Sequence, residues 1–208
     1  MTDDGRINVA GINDDNIDLL INLSASPYSI DKQKKRLTIL KAISKKNSIE
    51  ICYCNLIGGQ DELVFDGNSM ILNKDGAVVA SAKEFDEDLL IKNINFQKNK
   101  SRIHLPNKGN DYYLKEVLSA LSLGLKDYVY KNNFAKVLLG ISGGIDSALV
   151  ASIAVNALGK KNVLGLALQT KYNSDKSLEL AKKLSKNLGF KLKVLNIQNI
   201  FENTNQLL

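Results

Sequence analysis

The pattern of apolar and polar positions in the first half of the chain predicts an α/β unit with a β-rich end. Residues 17–23 form a mostly apolar run that predicts a buried strand, and Ser26-Pro27 ends it. Apolar residues at a 3.6-residue period over 31–46 predict a helix. Residues with high β-propensity and a turn at 73–76 then predict further strands. These are 49–57, which Gly58-Gly59 breaks, the hairpin of 69–72 and 77–80, and a last strand over 88–94.

The second half predicts a regular alternation of helix and strand. Apolar residues at helical spacing predict one long helix over 113–128. The pattern then predicts, in order, a strand over 136–141, a helix over 147–158, a strand over 162–168, a helix over 174–188 and a strand over 191–195. This order predicts a parallel sheet with right-handed crossovers, which binds its ligand at the carboxyl ends of the strands. Three strands make a thin sheet, so an open edge and an uncovered face are expected if nothing else packs there.

A basic, proline-containing stretch between the two halves predicts a domain boundary. Residues 96–110 contain Pro106, Gly109 and a cluster of basic residues with no acidic residue among them. We therefore predict a first domain over 1–95, a solvated linker over 96–110 and a second domain over 111–208.

The composition excludes several classes of function. The net charge is +6, but the lysines are scattered along polar faces, so no nucleic-acid partner is expected. An apolar run of about 18 residues and a secretory signal are both absent from the sequence, which predicts a cytoplasmic protein with no membrane partner. Cys52 and Cys54 lack the spacing of a metal site and are predicted to be buried structural thiols.

Residues 140–147 carry the clearest chemical signal in the chain. The sequence Ser-Gly-Gly-Ile-Asp-Ser at 142–147 lies between an apolar strand and an apolar helix. Paired glycines let backbone N–H groups approach a ligand closely, and the helix N-terminus favours an anion. Serine hydroxyls add donors, and Asp146 can hold a cation beside a polyphosphate. The segment lacks the lysine of a Walker loop, and it predicts the phosphates of a nucleotide as the ligand.

Two motifs resemble known families. The pattern Ser-Gly-Gly-x-Asp-Ser at 142–147 resembles the pyrophosphate loop of ATP pyrophosphatases. The run Asn-Leu-Ile-Gly-Gly-Gln-Asp-Glu-Leu-Val-Phe-Asp-Gly at 55–67 is very similar to glutamine-dependent NAD+ synthetases, in which a nitrilase-like domain precedes an ATP pyrophosphatase domain. The resemblance implies an α/β chain. It would contain the C-terminal part of a nitrilase-like α-β-β-α sandwich, followed by the first part of a Rossmann-like parallel sheet of the ATP pyrophosphatase (adenine nucleotide α-hydrolase-like) type.

The same resemblance implies a reaction. In this family glutamine is hydrolysed through a Glu-Lys-Cys triad, and the ammonia passes to the second domain. There ATP, with Mg2+, adenylates deamido-NAD+ with loss of pyrophosphate, and ammonia displaces AMP to give NAD+. The implied cofactors are therefore ATP and Mg2+. The implied partners are deamido-NAD+ and glutamine or ammonia, with further copies of the chain or a companion chain.

Individual positions match the motifs of the family. Ser26 and Lys32 match positions that hold glutamine. The positions that match ATP contacts are Gly140, Ile141, Ser142, Gly143, Gly144, Ile145, Asp146, Ser147 and Leu168. Asp146 also matches a magnesium-binding position. Leu168 stands where the family has a methionine beside the adenosine, and the segment 168–172, Leu-Gln-Thr-Lys-Tyr, departs from the usual Met-Pro-Ser-Arg-Tyr.

The sequence offers no match to the glutaminase triad. In the family the catalytic cysteine lies at or before the point where this chain begins, so no catalytic residue is assigned. Cys52 and Cys54 align with strand positions and not with that nucleophile. We therefore expect a fragment, truncated at both ends, that is inactive as a glutaminase. The alternative is a non-catalytic remnant or a split-gene subunit that keeps only the ATP-binding loop. A third interpretation, another ATP pyrophosphatase such as a GMP synthetase, an asparagine synthetase or a tRNA-thiolating enzyme, is disfavoured by the run at 55–67.

Overall fold

The computed structural model describes residues 17–94, 103 and 109–207. The chain divides between Gly124 and Leu125 into two compact units. Most of the predicted linker, 96–110, lies outside the described residues. The domain limits 1–95 and 111–208 therefore stay predictions. Within the described residues, no helix combines the length and the apolar content that crossing a bilayer requires.

The first unit contains a four-stranded sheet, one helix and a short β-ribbon. Its elements are β1 (Leu19–Ser24), α1 (Lys32–Asn47), β2 (Glu50–Asn55), β3 (Ile57–Gln60), β4 (Leu63–Asp66), β5 (Met70–Leu72) and β6 (Val78–Ser81). The sheet has the order β1-β2-β5-β6, with β1 and β2 parallel and the other neighbours antiparallel. The helix α1 connects the two parallel strands, as a parallel pair requires. The strands β3 and β4 pair antiparallel and form the ribbon.

The core of this unit lies between α1 and one face of the sheet. Leu40 and Ile43 of α1 pack in a buried cluster with Ile51 of β2 and Leu72 of β5. Asn73 shapes the turn between β5 and β6, because its carboxamide oxygen accepts from the N–H groups of Asp75 and Ala77 at 3.1 and 2.8 Å. The predicted hairpin is thus confirmed, and a side chain within the turn holds it.

A buried ion pair connects α1 to the β-ribbon. Arg36, which is 1% exposed, donates from Nη1 and Nη2 to the two carboxylate oxygens of Asp66 at 3.1 and 3.0 Å. Asn55 Nδ2 donates to the same carboxylate at 3.2 Å. The Arg36 guanidinium also lies 5.5 Å from the ring centroid of Tyr53. Two charges removed from water in this way depend on each other, because either one alone would be buried without compensation.

Two predictions about the strands of this unit are wrong. Gly58 and Gly59 do not break the strand region, since both lie inside β3 and pair with β4. Residues 88–94 form no strand. Leu90 and Ile94 of that segment instead pack against the buried residues Ile71, Val79 and Ala80. Their apolar character therefore reflects cover for a sheet face and not strand pairing.

The described residues cover only part of the sheet face opposite α1. The parallel register places Ile21 beside Cys52 and Leu23 beside Cys54, so the four side chains share one face. Leu23 is 80% exposed, Cys54 is exposed and Cys52 is half-buried. The prediction of two buried structural thiols is therefore wrong for Cys54.

The second unit is built on a parallel sheet. The division between the units falls within the long helix α2 (Asn110–Lys131). The elements after it are β7 (Val137–Gly140), α3 (Ile145–Leu158), β8 (Val163–Gln169), α4 (Asp175–Leu188), β9 (Lys191–Asn196) and α5 (Gln198–Leu207). The three strands have the order β7-β8-β9 and are all parallel. The predicted alternation of strand and helix is confirmed.

Small residues let α3 and α4 pack closely on one face of this sheet. Ala151 and Ala154 of α3 and Ala181 of α4 are buried against Val163 and Phe190. The other face carries exposed leucines, of which Leu138 is 59% exposed and Leu168 and Leu195 are also exposed. A parallel sheet normally buries both faces, so the expected uncovered face is confirmed.

We predict that Asp66→Asn destabilises the first unit by about 3–5 kcal/mol, because it leaves the Arg36 charge buried without its partner. The matched control is Asp86→Asn, which removes the exposed ion pair between Lys83 and Asp86 and should cost about 0–1 kcal/mol. Urea unfolding followed by far-UV circular dichroism measures both changes, since the chain contains no tryptophan. Equal losses in the two variants would show that the buried pair does not hold the unit.

Candidate nucleotide site

The loop between β7 and α3 lies at the carboxyl end of the parallel sheet. The backbone N–H of Ile141 donates to the Leu166 carbonyl at 2.7 Å, which continues the β7–β8 pairing by one residue. The chain then turns through 142–144, and α3 begins at Ile145 with Gly144 as its N-cap. The N–H groups in the first turn of α3 have no acceptor within the helix. They are therefore available to an anion at this end of the sheet.

Two serine hydroxyls close the loop on itself. Ser147 Oγ donates to the Gly144 carbonyl at 3.0 Å and accepts from the Ser142 N–H at 3.3 Å. Ser142 Oγ lies 3.1 Å from Ser147 Oγ and accepts from the Gly144 N–H at 3.3 Å. The serines that the sequence presents as ligand donors thus also act as internal braces of the loop.

Gly143 makes the compact shape of the loop possible. Its φ is +83°, in the left-handed region that favours glycine. A Cβ atom added at this position would overlap the backbone carbonyl of Ser177 in the first turn of α4. Glycine at 143 therefore serves two needs, the backbone conformation of the loop and the close approach of α4.

A pocket of about 350 Å³ opens beside the loop. Its lining combines the ends of β7 and β8 with the start of α4, and the residues are Gly140, Ile141, Ser142, Leu166, Ala167, Leu168, Gln169, Asn173, Ser177 and Leu178. Four of the nine predicted ATP-binding residues are among them, namely Gly140, Ile141, Ser142 and Leu168. The other five, at 143–147, continue the loop and the first turn of α3. The pocket residues Gln169, Asn173 and Ser177 were not predicted from the sequence. The one available signal was Ser174, a residue type that favours the N-cap position of a helix.

The segment after β8 is held in place by its own polar groups. Asn173 Oδ1 accepts from the Thr170 N–H at 2.7 Å and from the Thr170 hydroxyl at 2.9 Å. The N–H of Lys171 donates to Gln198 Oε1 at 2.8 Å. Ser174 caps α4 by accepting from the Ser177 N–H. The segment that departs from the family pattern is therefore an ordered turn that ends at the pocket.

Asp146 provides the one acidic side chain in the first turn of α3, and it is exposed. No cluster of three or more metal-ligating side chains occurs among the described residues. A single carboxylate suits Mg2+, which usually takes one or two protein carboxylates and fills its remaining positions with phosphate oxygens and water. A single carboxylate does not suit a structural metal ion whose ligands must all come from the protein. The residues present therefore fit a magnesium ion that is bound together with a polyphosphate.

The two residues predicted to hold glutamine differ in their surroundings. Ser26 is 4% exposed, and its hydroxyl accepts from Arg36 Nη2 at 3.4 Å. Its N–H donates to Asn55 Oδ1 at 2.9 Å. Lys32 lies in the first turn of α1 and is half-buried. Ser26 is thus part of the buried Arg36–Asp66 network, which the sequence analysis did not foresee.

A group of tyrosines and glutamates next to this segment also escaped the sequence analysis. Burial and the nearby Glu116 carboxylate raise the pKa of the Tyr28 hydroxyl to about 12. Tyr112 donates its hydroxyl to Glu84, and burial together with this hydrogen bond raises the Tyr112 pKa as well. Both tyrosines therefore stay neutral near pH 7.

Cys52 lacks the surroundings that activate a cysteine as a nucleophile. Burial raises the pKa of the Cys52 thiol, and the neighbouring Cys54 adds to this effect. A thiol that stays protonated is a weak nucleophile. The structure thus gives Cys52 no catalytic character.

Two family models match the sequence. The carbon-nitrogen hydrolase model matches residues 6–102, and the NAD synthase model matches residues 117–208. A glutamine-dependent NAD+ synthetase from Aquifex aeolicus is 38% identical, over 88% of this chain and 38% of the relative. One from Synechocystis is 39% identical, over 94% of this chain and 35% of the relative. The chain thus spans little more than a third of the length of the relatives it matches.

Solved structures agree with the sequence matches. The glutamine-dependent NAD+ synthetase of Acinetobacter baumannii, in complex with ADP, superimposes with a TM-score of 0.85 at 32% identity and covers 92% of this chain and 36% of its own. The enzyme from Cytophaga hutchinsonii shares the fold, with a TM-score of 0.72 at 18% identity over 90% of this chain and 39% of its own. The predicted α/β class and the predicted order of nitrilase-like and NAD synthetase parts are confirmed. The chain joins a carbon-nitrogen hydrolase segment to an NAD synthase segment, and over most of its length it is similar to part of the glutamine-dependent NAD+ synthetases.

Proposed function

We propose that the second unit binds ATP through the 140–147 loop and serves the ATP-dependent amidation of deamido-NAD+ to NAD+ with ammonia from glutamine. The junction of β7, the loop and α3, with the pocket at its side, is the observation that carries this proposal. It combines a glycine-shaped turn, the free N–H groups of a helix N-terminus and a cavity at the carboxyl end of a parallel sheet. The relatives described above are named glutamine-dependent NAD+ synthetases, which supports the proposal.

The loop would bind the phosphates through its backbone. The N–H groups of Ile145, Asp146 and Ser147 begin α3 and point out of its N-terminal end. The hydroxyl braces of Ser142 and Ser147 keep the turn in this shape before the ligand arrives. A preformed turn lowers the entropy cost of binding.

Asp146 would hold Mg2+ against the bound phosphates. The loop has no lysine to neutralise phosphate charge, so a cation and the helix N-terminus must do so. When bound, Mg2+ supplies that neutralisation. It also makes pyrophosphate a better leaving group.

The ATP is needed because the acyl group of deamido-NAD+ is a carboxylate, which is a poor acyl donor. Attack of the carboxylate on the α-phosphate forms an acyl adenylate and releases pyrophosphate. Ammonia then attacks the acyl carbon, and AMP leaves with the C–O bond electrons. In this scheme the described second unit holds the nucleotide.

The first unit would contribute to the glutamine site through Lys32 and the segment around Ser26. Lys32 can pair with the carboxylate of glutamine. The hydroxyl of Ser26 already interacts with Arg36. Ser26 would therefore act mainly by fixing the backbone at the end of β1.

The second candidate is a non-catalytic subunit that keeps the nucleotide loop and associates with a companion chain. The uncovered sheet faces favour it, because Leu23 and Leu138 are largely exposed and such faces bind other surfaces. ATP binding without any amidation by the 208-residue chain would support this candidate.

We predict that Gly143→Ala weakens ATP binding at least tenfold, about 1.4 kcal/mol, because the added Cβ overlaps the Ser177 carbonyl and distorts the loop. Isothermal titration of the 208-residue chain with ATP and excess Mg2+ measures the affinity. Gly159→Ala is the control, since Gly159 has a φ of +79° but no atom lies within 4 Å of its added Cβ. Unchanged affinity in folded Gly143→Ala would refute the role of the loop.

We predict that Asp146→Asn reduces ATP affinity about tenfold in excess Mg2+ and has little effect in excess EDTA, because the carboxylate acts through the cation. Asp175→Asn is the matched control, since Asp175 is also an exposed acid in the first turn of a helix. An equal loss with and without Mg2+ would mean that Asp146 holds no magnesium.

We predict that the purified chain releases no measurable ammonia from glutamine. Cys52 is held as a thiol, and the sequence contains no match to the triad of the family. A coupled ammonia assay tests this directly. Ammonia release that Cys54→Ser abolishes would contradict the prediction and assign a nucleophile to the chain.

A further inference from the structure

Another pocket, of about 400 Å³, lies in the first unit, where the last turns of α1 meet the turn between β5 and β6. Its charged lining residues are Lys41, Lys45 and Asp75, and Gly76, Val78 and Ile103 also line it. None of these residues belongs to the segment proposed for glutamine or to the nucleotide loop. The pocket is therefore a separate candidate for a ligand.

Gly76 lets the turn approach α1 closely. Its φ is +74°, and a Cβ atom added at this position would lie 3.0 Å from the Lys41 carbonyl oxygen and from the Cγ and Cε atoms of Lys45. The aliphatic part of Lys45 thus lies where a side chain at 76 would stand. The Val78 carbonyl accepts from the Ile103 N–H at 2.9 Å, which holds the apolar part of the lining. The pocket is therefore formed by packed backbone and not by side-chain tips alone.

The three charged side chains line the pocket without neutralising one another. Lys41 and Lys45 are four positions apart, so their Cβ atoms are about 5–6 Å apart on one face of the helix. Among the described residues, neither ammonium group forms an ion pair with Asp75 or with any other carboxylate. The pocket thus presents two positive charges and one negative charge to a molecule that enters it.

We infer that this pocket binds an α-amino acid that carries a second carboxylate, such as L-glutamate. At pH 7 such a molecule has two carboxylates and one ammonium group, which is the reverse of the charges in the lining. The carboxylates would pair with Lys41 and Lys45, and the ammonium group would donate to Asp75. A simple anion such as phosphate would also meet the lysines, but it would face the Asp75 carboxylate, and such a like-charge contact disfavours the wrong ligand.

The test is a backbone amide NMR titration of the 208-residue chain at low ionic strength, where exposed charges are screened least. The ligands are L-glutamate, L-glutamine, glutarate and inorganic phosphate. Glutamine lacks the second carboxylate, and glutarate lacks the ammonium group. Glutamate should bind about fivefold more tightly than each of the others, the effect expected for one exposed ion pair. The shift changes should centre on the amide groups of 75–78 and not on the segment around Ser26.

Variants separate the roles of the three charges. Asp75→Asn should remove the preference for glutamate over glutarate, because the ammonium group loses its partner. Lys41→Gln or Lys45→Gln should remove the preference for glutamate over glutamine, because the second carboxylate loses its partner. The matched control is Lys35→Gln, since Lys35 is an exposed lysine of α1 outside the lining; it should keep both preferences.

Equal binding of the four ligands, or shift changes that leave 75–78 unaffected, would overturn the inference. Folded variants that keep the wild-type preferences would do the same, and so would tighter binding of phosphate than of glutamate. Should a variant not fold, the comparison of the four ligands on the wild-type chain still decides. The result is independent of ATP binding, because the nucleotide site is proposed for the second unit.

Discussion

The candidate site depends on one close approach, that of the Ser177 carbonyl to Gly143. The first turn of α4 and the loop after β7 can touch because the loop has no side chain at this point. The contact places the start of α4 beside the N-terminus of α3, and the pocket opens next to it. The serine braces at 142 and 147 then fix the remaining backbone of the turn. A glycine, two hydroxyls and two helix starts thus shape the turn that we propose as an anion site, and its loop at 142–147 contains no basic side chain.

The first unit is organised by a different interaction, the buried pair of Arg36 and Asp66. Through Asn55 and Ser26 this pair reaches the end of β1, the segment that we propose contributes to glutamine binding. The network explains why a serine that matches a ligand position is nearly inaccessible. Charge burial of this kind is costly unless every partner is present, so a change at Ser26 or Asn55 would also affect the ion pair.

The sequence predicted the second unit well because the apolar residues of each element recur with the spacing of a single type of secondary structure. Apolar runs for β7 and β8 and the glycine pair between β7 and α3 all have local causes. The failures have tertiary causes. Leu90 and Ile94 are apolar because they cover a sheet face, and no local pattern distinguishes this from a strand. Gly58 and Gly59 lie inside a two-stranded ribbon, where close pairing outweighs their tendency to end a strand.

The candidate site was only partly predictable for the same reason. The loop residues share one motif, but Gln169, Asn173 and Ser177 reach the pocket through the β8-to-α4 turn. Their contribution depends on the turn that Asn173 forms with Thr170, which composition alone does not reveal. The exposure of Cys54 is likewise a tertiary property, because the described residues cover only part of that sheet face.

Backbone amide NMR of the 208-residue chain, titrated with ATP and Mg2+, tests the central claim most directly. If the loop binds the phosphates, the largest shift changes fall on the amide groups of 142–147, with smaller ones at 166–169. Unchanged amide shifts at 142–147 in a folded, saturated sample, or changes confined to the first unit, would contradict an ATP site at this loop.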